Sequence, residues 1–181
     1  NIFLKGLHNQ YNILIAITLS SLFGINISNI KSQVINFMPL EHRLEFVDKI
    51  AGVKYYNDSK ATNISSVIAA VKSFKDDVIL ILGGCLKGDV DCSSLLSSKN
   101  LISILCYGEA GKYLNEKIKV NSTPIYYTKN FCDIVKHSIK VAQDNQVVLL
   151  SPGFASYDQF KNFEMRGKTF KKIIQDYSHA W

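Results

Sequence analysis

Residues 53–74 read VKYYNDSKATNISSVIAAVKSF, and three kinds of segment follow one another there. Val53 to Tyr56 is an extended apolar run, and Ile64 to Phe74 has the apolar spacing of a helix. The residues between them, 57–63, are mostly polar. In an α/β protein, the free N–H groups and the dipole of a helix that follows a strand favour an anion. The segment therefore predicts a ligand-binding loop.

The side chains of this loop suit such a ligand. Lys60 adds a full positive charge, and Ser59 and Thr62 can donate hydrogen bonds to a phosphate or a carboxylate. Asp58 can hold a metal-bound or hydroxyl-bearing ligand. The alternative is a solvated turn in which Asn63 caps the following helix, and the loop by itself leaves both interpretations open.

Strands and helices alternate along most of the chain. Helices are predicted at 9–23, which should be mostly buried, and at 28–36, 64–74, 92–98, 110–117, 131–143 and 158–177. Strands are predicted at 44–49 and 53–56, as a hairpin turned at 51–52, and at 78–82, 102–107, 125–127 and 147–150. This order predicts an α/β fold with a Rossmann-like, mostly parallel sheet and helices on both faces.

The predicted topology also makes a prediction about the loops. Loops that follow parallel strands share one edge of the sheet, so residues 58–62, 83–87 and 151–156 should converge. Pro39 ends the second helix, and we place a domain boundary there, with residues 1–38 and 39–181 as the two domains.

Composition excludes several classes of protein. Apolar runs such as 13–17 and 78–82 are far shorter than the roughly 20 residues that span a bilayer, so no membrane helix is expected. The four cysteines form no CxxC pair and are not matched with histidines at zinc-ligand spacing, which favours reduced thiols in a cytoplasmic protein. The first residue is not methionine, and we expect the chain to be a piece of a longer protein.

The formal net charge of +6 does not predict binding to nucleic acid. The basic residues are scattered, and only Arg43 and Arg166 are arginines, so bidentate recognition of bases and phosphates is nearly absent. A nucleotide and acidic small-molecule substrates explain the positive balance better.

Five blocks of sequence carry a family resemblance. They are His8-Asn9 with Asn12, His42 to Glu45, Asn57 to Asn63, Gly83-Gly84 with Lys87-Gly88, and Ser151 to Gly167. In this order they resemble the C-terminal domain of the Mur ligase family, and within it the members that add D-glutamate to UDP-N-acetylmuramoyl-L-alanine in peptidoglycan synthesis. The resemblance implies a Rossmann-like C-terminal domain, preceded in residues 1–38 by a helical remnant of the central ATP-binding domain.

The resemblance implies roles for one set of residues at the nucleotide. Asn9 and Asn12 would lie near the adenine, Arg43 and Lys60 would contact phosphates, and Asp58 would meet the ribose or the metal-bound phosphates. Arg43, Asp58 and Lys60 would thereby be the catalytic residues of this part of the enzyme. On the residues alone, Asn9 can equally be a helix cap and Arg43 a surface charge at the rim. His8 and His42 are expected to be structural.

The resemblance implies a second set at the amino acid. Thr62, Lys87, Ser156, Tyr157 and Phe163 would bind D-glutamate, with Lys87 on a carboxylate and Phe163 against the aliphatic part. The alternatives are a tight turn at Gly83-Gly84, which does not match a P-loop, and a core aromatic at Phe163. The chain departs from the family at Gly153-Phe154, where a small pair such as Ala-Cys is usual, and at Tyr157, where leucine is common.

The implied activity is an ATP-dependent ligation with Mg²⁺ as the metal. ATP phosphorylates the carboxylate of the UDP-sugar substrate, and the amine of D-glutamate attacks the acyl phosphate. The family's P-loop and metal ligands match nothing here, so the chain alone should be inactive, and it should be a cytoplasmic monomer. The alternatives are a non-catalytic remnant that binds a nucleotide or amino acid weakly, and a related amide ligase, either another Mur ligase or a folylpolyglutamate-synthase-type enzyme.

Overall fold

The computed structural model describes residues 7–37, 40–86, 88–118 and 123–180, with only the backbone at residues 7–9. The helices are α1 (Leu7–Leu22), α2 (Ile27–Asn36), α3 (Ile64–Lys72), α4 (Ser93–Leu96), α5 (Gly108–Lys117), α6 (Phe131–Val141) and α7 (Phe163–Ser178). The strands are β1 (Glu45–Ile50), β2 (Val53–Asn57), β3 (Val78–Gly83), β4 (Leu101–Tyr107), β5 (Ile125–Thr128) and β6 (Val147–Gly153). The chain divides into two compact units, Asn1–Glu41 and His42–Trp181.

The second unit is built on one six-stranded sheet in the order β1-β2-β6-β3-β4-β5. β1 and β2 form an antiparallel hairpin, and all other neighbouring strands are parallel. Ala51 and Gly52 turn the hairpin, both with positive φ, as the sequence predicts. The order places β6, the last strand in sequence, between β2 and β3, so the loops after these three strands are neighbours.

Helices cover both faces of this sheet, which confirms the predicted fold class. All six residues of β3 are buried, and alternate residues serve opposite faces. Leu80 and Leu82 belong to a core cluster that includes residues of α3 and α5, whereas Ile79 and Ile81 belong to a cluster with residues of α6 and α7. A strand that is buried on both faces needs the continuous apolar run that the sequence shows at 78–82.

The beginning of α7 differs from the sequence prediction. We expected a helix from Asp158, but α7 begins at Phe163, and the side chain of Asn162 caps it by accepting a hydrogen bond from the N–H of Met165 at 2.8 Å. Before it, the carbonyl of Ser156 accepts hydrogen bonds from the N–H groups of Gln159 and Phe160. Residues 156–161 therefore form a turn of their own.

The first unit contains α1 and α2. The expected burial of the first helix is wrong, because none of its described side chains is buried and most of the apolar ones are exposed, for example Leu14 at 58% and Leu22 at 78%. Among the described residues of this unit, Ile30 is the buried apolar residue. The predicted boundary falls between residues 38 and 39, both outside the described residues. No described helix is both long and apolar enough to cross a membrane.

Candidate functional site

The loop between β2 and α3 has buried side chains that fix its shape and exposed side chains that alternate with them. Asn57 and Ser59 are fully buried and Ala61 is nearly so, whereas Lys60 and Thr62 are exposed. The N–H of Ser59 donates to the side-chain oxygen of Asn57 at 3.1 Å. Asn63 caps α3 by accepting from the N–H of Ser66 at 2.8 Å, as one of the two interpretations predicts. The loop is nonetheless not a solvated turn, because its buried side chains fix it while Lys60 and Thr62 face solvent.

Asp58 is the buried acid of this loop. One carboxylate oxygen accepts from the N–H of Leu44 at 3.2 Å, and the other accepts from the hydroxyl of Ser151 at 2.8 Å. Burial raises the pKa of Asp58 from 3.8 to about 6, although these hydrogen bonds and the charge of Arg43 act in the opposite direction. Asp58 therefore ties the segment before β1 to the carboxyl-terminal part of β6.

Arg43 lies in a loop with unusual backbone geometry. His42 and Leu44, its two neighbours, have positive φ values of 65° and 43°, and Arg43 itself is exposed. His42 is 2% exposed, and its Nδ1 lies 2.8 Å from the side-chain nitrogen of Asn57. The carbonyl of His42 accepts from the N–H of Lys60 at 3.1 Å, which links the Arg43 loop to the β2–α3 loop. The hydrogen bonding expected of His42 is present, and its structural role stays a prediction.

Glu45 supports this arrangement, and the sequence analysis assigned it no role. Its carboxylate accepts from the N–H of His42, the amide nitrogen of Asn57 and the ammonium of Lys171, at 3.0, 3.0 and 2.8 Å. The segment before β1, strand β2 and helix α7 thereby share one acid. The block His42 to Glu45 pointed to this part of the chain, but only the fold shows which side chains meet there.

The loop after β3 begins with two glycines that pass close to other backbone segments. A Cβ atom on Gly83 would lie 2.1 Å from the carbonyl oxygen of Tyr107, and one on Gly84 would lie 2.2 Å from that of Ala155. The N–H of Cys85 donates to the carbonyl of Ala155 at 2.8 Å. The glycines therefore allow this loop to pair with the loop after β6, which supports the tight-turn interpretation. Lys87, the predicted carboxylate ligand, lies outside the described residues.

The loop after β6 contains the remaining predicted residues. Ser156 is 2% exposed, Tyr157 is 71% exposed, and Phe163 is half-buried at the first position of α7. The ammonium of Lys60 lies 5.5 Å from the centre of the Phe163 ring. Phe154, one of the departures from the family, lies in the core, so that departure changes packing. Tyr157, the other departure from the family pattern, faces solvent beside the site.

The predicted convergence of three loops is confirmed among the described residues. The hydroxyl of Ser151 donates to Asp58, and the N–H of Gly153 donates to the carbonyl of Ala61 at 2.9 Å, so the loop after β2 is joined to the end of β6, from which the third loop continues. The hydrogen bond from Cys85 to Ala155 joins the loop after β3. The structure therefore brings Asp58, Lys60, Thr62, Ser156 and Phe163 to one edge of the sheet.

Asn9 and Asn12 lie in the first unit, Asn1–Glu41. Both are residues of α1, three positions apart and hence on one face of the helix, and the side chain of Asn12 is exposed. The side chain of Asn9 is outside the description.

Arg166 is the main residue of this region whose contacts the sequence analysis did not predict. It lies on α7, is fully buried, and donates hydrogen bonds to Ser59, Tyr107 and Phe154. A signal was present, because Arg166 is one of two arginines in a chain rich in lysine and lies in a block that resembles the family.

Comparison with known proteins agrees with this geometry. The family description "Mur ligase, glutamate ligase domain" matches residues 42–154. A UDP-N-acetylmuramoylalanine–D-glutamate ligase of Lactobacillus delbrueckii subsp. bulgaricus is 40% identical over 175 residues, which is 96% of this chain and 38% of that protein. The chain thus spans about two fifths of the length of this curated relative.

Two crystal structures share the fold. The UDP-N-acetylmuramate-alanine ligase MurC of Thermotoga maritima matches with a TM-score of 0.75 at 13% identity, over 98% of this chain and 39% of that one. The MurF ligase of Thermotoga maritima in complex with ADP matches with a TM-score of 0.64 at 15% identity, over 95% of this chain and 40% of that one.

Proposed function

Because the chain belongs to the Mur ligase family, we propose that it is the C-terminal, amino-acid-binding part of an ATP-dependent ligase that adds D-glutamate to UDP-N-acetylmuramoyl-L-alanine. The observation that carries this proposal is the 40% identity over 96% of the chain to a ligase named for that reaction. Since the chain spans 38% of that relative, the complete reaction is proposed for the whole enzyme. The product would be a peptidoglycan precursor made in the cytoplasm.

The proposed reaction needs charge neutralisation more than covalent chemistry from the protein. ATP transfers its γ-phosphoryl group to the substrate carboxylate, and ADP leaves. The amine nitrogen of D-glutamate then attacks the carbonyl carbon, the amide bond forms, and inorganic phosphate leaves while the nitrogen loses a proton. Both steps depend on holding anionic groups in position. The positively charged edge of the sheet, with exposed Arg43 and Lys60, is suited to this task.

The amino-acid site of this proposal lies between the loops after β2, β3 and β6. Thr62 and Lys60 are exposed on the first of these loops, and Tyr157 is exposed on the last. Charge-assisted hydrogen bonds contribute about 1.5 to 3 kcal/mol each, so a few of them suffice for a small dianion. Lys87 supplies the main cation of this site in the proposal, and Ser156 and Phe163 complete it.

A second part of the proposal concerns the nucleotide. We propose that residues 1–38 are the end of the ATP-binding domain, with Asn9 and Asn12 near the adenine, and that 39–181 form the D-glutamate domain. Arg43 would contact the phosphates of ATP together with Lys60. The exposed apolar residues of α1 support this proposal, because such a surface is typical of a helix taken from a larger core.

Mg²⁺ is the metal of the proposed reaction, and Asp58 is poorly suited to be one of its ligands. Both carboxylate oxygens of Asp58 already accept hydrogen bonds, and burial raises its pKa to about 6, which disfavours the charged form that a metal needs. Asp58 fits a hydroxyl-bearing ligand such as a ribose better. The metal would act in charge neutralisation at the phosphates, with ligands outside this group of residues.

The proposal is tested by titrating the chain, labelled with ¹⁵N, with D-glutamate. We expect saturable shifts of the amide signals of Lys60, Thr62 and residues 156–163, and much smaller shifts with equal concentrations of L-glutamate. The matched variant Thr62→Val keeps the size of the side chain and removes its hydroxyl, and it should weaken binding several-fold. Equal responses to the two enantiomers, or no response at these loops, would contradict the proposal.

A related ligase with another amino acid is the second candidate, and one observation favours testing it. Tyr157 is 71% exposed where leucine is common in the family members that add D-glutamate. The same titration with D-aspartate, L-alanine and L-lysine would identify such a preference. A response to one of these at a lower concentration than to D-glutamate would support the second candidate.

A further inference from the structure

Arg166 is a fully buried cation whose hydrogen bonds all go to neutral acceptors. Its Nε donates to the hydroxyl of Ser59 at 3.0 Å, and one terminal nitrogen donates to the carbonyl of Ser59 at 2.8 Å. The other terminal nitrogen donates to the phenol oxygen of Tyr107 at 3.1 Å and to the carbonyl of Phe154 at 3.0 Å. None of these partners is a carboxylate. The guanidinium is therefore well bonded, but its charge is not neutralised by them.

The partners of Arg166 belong to three segments at the edge of the site, two loops and the end of a strand. Ser59 lies in the loop after β2, Tyr107 ends β4, and Phe154 follows β6. Ser59 also donates through its hydroxyl to the carbonyl of Phe163, at 2.8 Å. The side chain of Arg166 thus bonds to the backbone of Ser59, next to Lys60, and to the backbone of Phe154, two residues before Ser156. Displacing it would loosen both sides of the site at once.

The surroundings of Arg166 offer little compensation for its charge. Asp158 is the acid nearest in effect: burial raises its pKa, the charge of Arg166 acts in the opposite direction, and Asp158 accepts no hydrogen bond from Arg166. Burial also raises the pKa of Tyr107 to about 12, so this phenol keeps its proton and stays neutral. A buried charge without a hydrogen-bonded counter-ion is costly to fold around, and an anion bound nearby would offset part of that cost through its charge alone.

We propose that Arg166 is the positioning residue of the D-glutamate site: it locks the loops after β2 and β6 in register and supplies a buried positive charge beneath a dianionic amino acid. This inference rests on the proposed function for the identity of the anion. Its locking role rests only on the four hydrogen bonds. Arg166 does not contact the ligand, and it acts through Ser59 and Phe154.

The test compares Arg166→Gln and Arg166→Lys with Lys168→Gln, which removes an exposed positive charge from α7 two residues away. Hydrogen exchange in the absence of ligand reports on the locking role. We expect the amides of Lys60, Cys85 and Gly153, which bond across these loops, to exchange at least tenfold faster in both Arg166 variants and at the wild-type rate in Lys168→Gln. Unchanged exchange in a folded Arg166→Gln protein would overturn the proposal.

The dissociation constant for D-glutamate reports on the positive charge of Arg166. Loosening of the loops also raises the apparent dissociation constant. The charge is therefore isolated by comparing Arg166→Gln with Arg166→Lys, because both variants lose the same hydrogen bonds and only the lysine keeps the charge. We expect the dissociation constant to rise at least tenfold in Arg166→Gln and less in Arg166→Lys. Equal values in wild type and Arg166→Gln would overturn the proposal. If the wild-type chain binds no D-glutamate, the proposed function fails while the exchange result still decides the locking role.

Tyr107→Phe provides a milder variant in case Arg166→Gln does not fold. It removes only the phenol oxygen that accepts from Arg166, and it keeps the aromatic ring that packs against Phe131. We expect exchange at Lys60 and Gly153 to rise two- to five-fold, with cooperative unfolding retained. Exchange rates equal to those of the wild type would count against Arg166 as the lock.

Discussion

Asp58 shows how one buried side chain combines two functions in this site. Its carboxylate receives hydrogen bonds from the segment before β1 and from the carboxyl-terminal part of β6, so it joins parts of the chain that lie far apart in sequence. The same burial raises its pKa to about 6. The acid therefore changes its charge just below neutral pH, and the stability of the protein must respond.

We predict that Asp58→Asn removes part of the pH dependence of stability. Because the folded protein binds this proton more tightly than the unfolded chain, whose ordinary pKa is 3.8, wild-type stability falls as pH rises from about 4 to about 6 and stays lower above that. A shift of this size corresponds to roughly 2 to 3 kcal/mol. Relative to wild type, Asp58→Asn should gain about this much between pH 4 and pH 7, measured by urea unfolding.

The matched control for this prediction is Asp176→Asn. Asp176 is an exposed carboxylate on α7, so its replacement removes a surface charge and should change the free energy of unfolding by no more than about 0.5 kcal/mol. Asparagine at position 58 can still accept a hydrogen bond from the N–H of Leu44, so the fold should be retained. A stability difference between Asp58→Asn and wild type that does not vary with pH would refute the assigned protonation.

At the scale of elements, α7 supports the site along its first turns. Asn162 caps the helix, and Phe163 is its first residue. Arg166 donates hydrogen bonds to three segments, and Gly167 leaves room for the ring of His42. A Cβ atom on Gly167 would lie 2.3 Å from Nδ1 of His42. The close approach of α7 to the segment before β1 therefore depends on the missing side chain.

We predict that Gly167→Ala destabilises the protein although it favours the helix. Alanine gains about 1 kcal/mol in helix propensity, but overpacking in a core costs about 1 to 3 kcal/mol, and His42 is held by its contact with Asn57. We expect a net loss of up to about 2 kcal/mol in urea unfolding. Lys168→Ala, at the next and exposed position, serves as the control and should be neutral or slightly stabilising. A Gly167→Ala protein as stable as this control would show that His42 can move aside.

The elements were more predictable from sequence than their contacts. Asn63 was recognisable as a cap because it precedes an apolar run, and the buried strand β3 because it is apolar throughout. The beginning of α7 was missed because Phe160 and Phe163 are spaced as in a helix, although Phe160 belongs to the preceding turn. The role of Arg166 could not be predicted, since two of its four hydrogen bonds go to carbonyl groups, which every residue type carries.

At the scale of the whole molecule, the apolar residues are divided unevenly between the two units. Of the sixteen exposed large apolar side chains among the described residues, ten lie between residues 11 and 37. Both core clusters consist entirely of residues from the second unit. The sheet and the site loops therefore have a complete core without the first unit.

We predict that a chain beginning at residue 40 folds as the second unit does in the full chain. Its two core clusters are complete, so its thermal midpoint should lie within about 3 °C of the full chain, measured by circular dichroism, with a single cooperative transition. Removing the exposed apolar residues of α1 and α2 should also reduce self-association in sedimentation experiments. If the shortened chain loses cooperative unfolding, the first unit must contribute to the core of the second, and the two would form one folding unit.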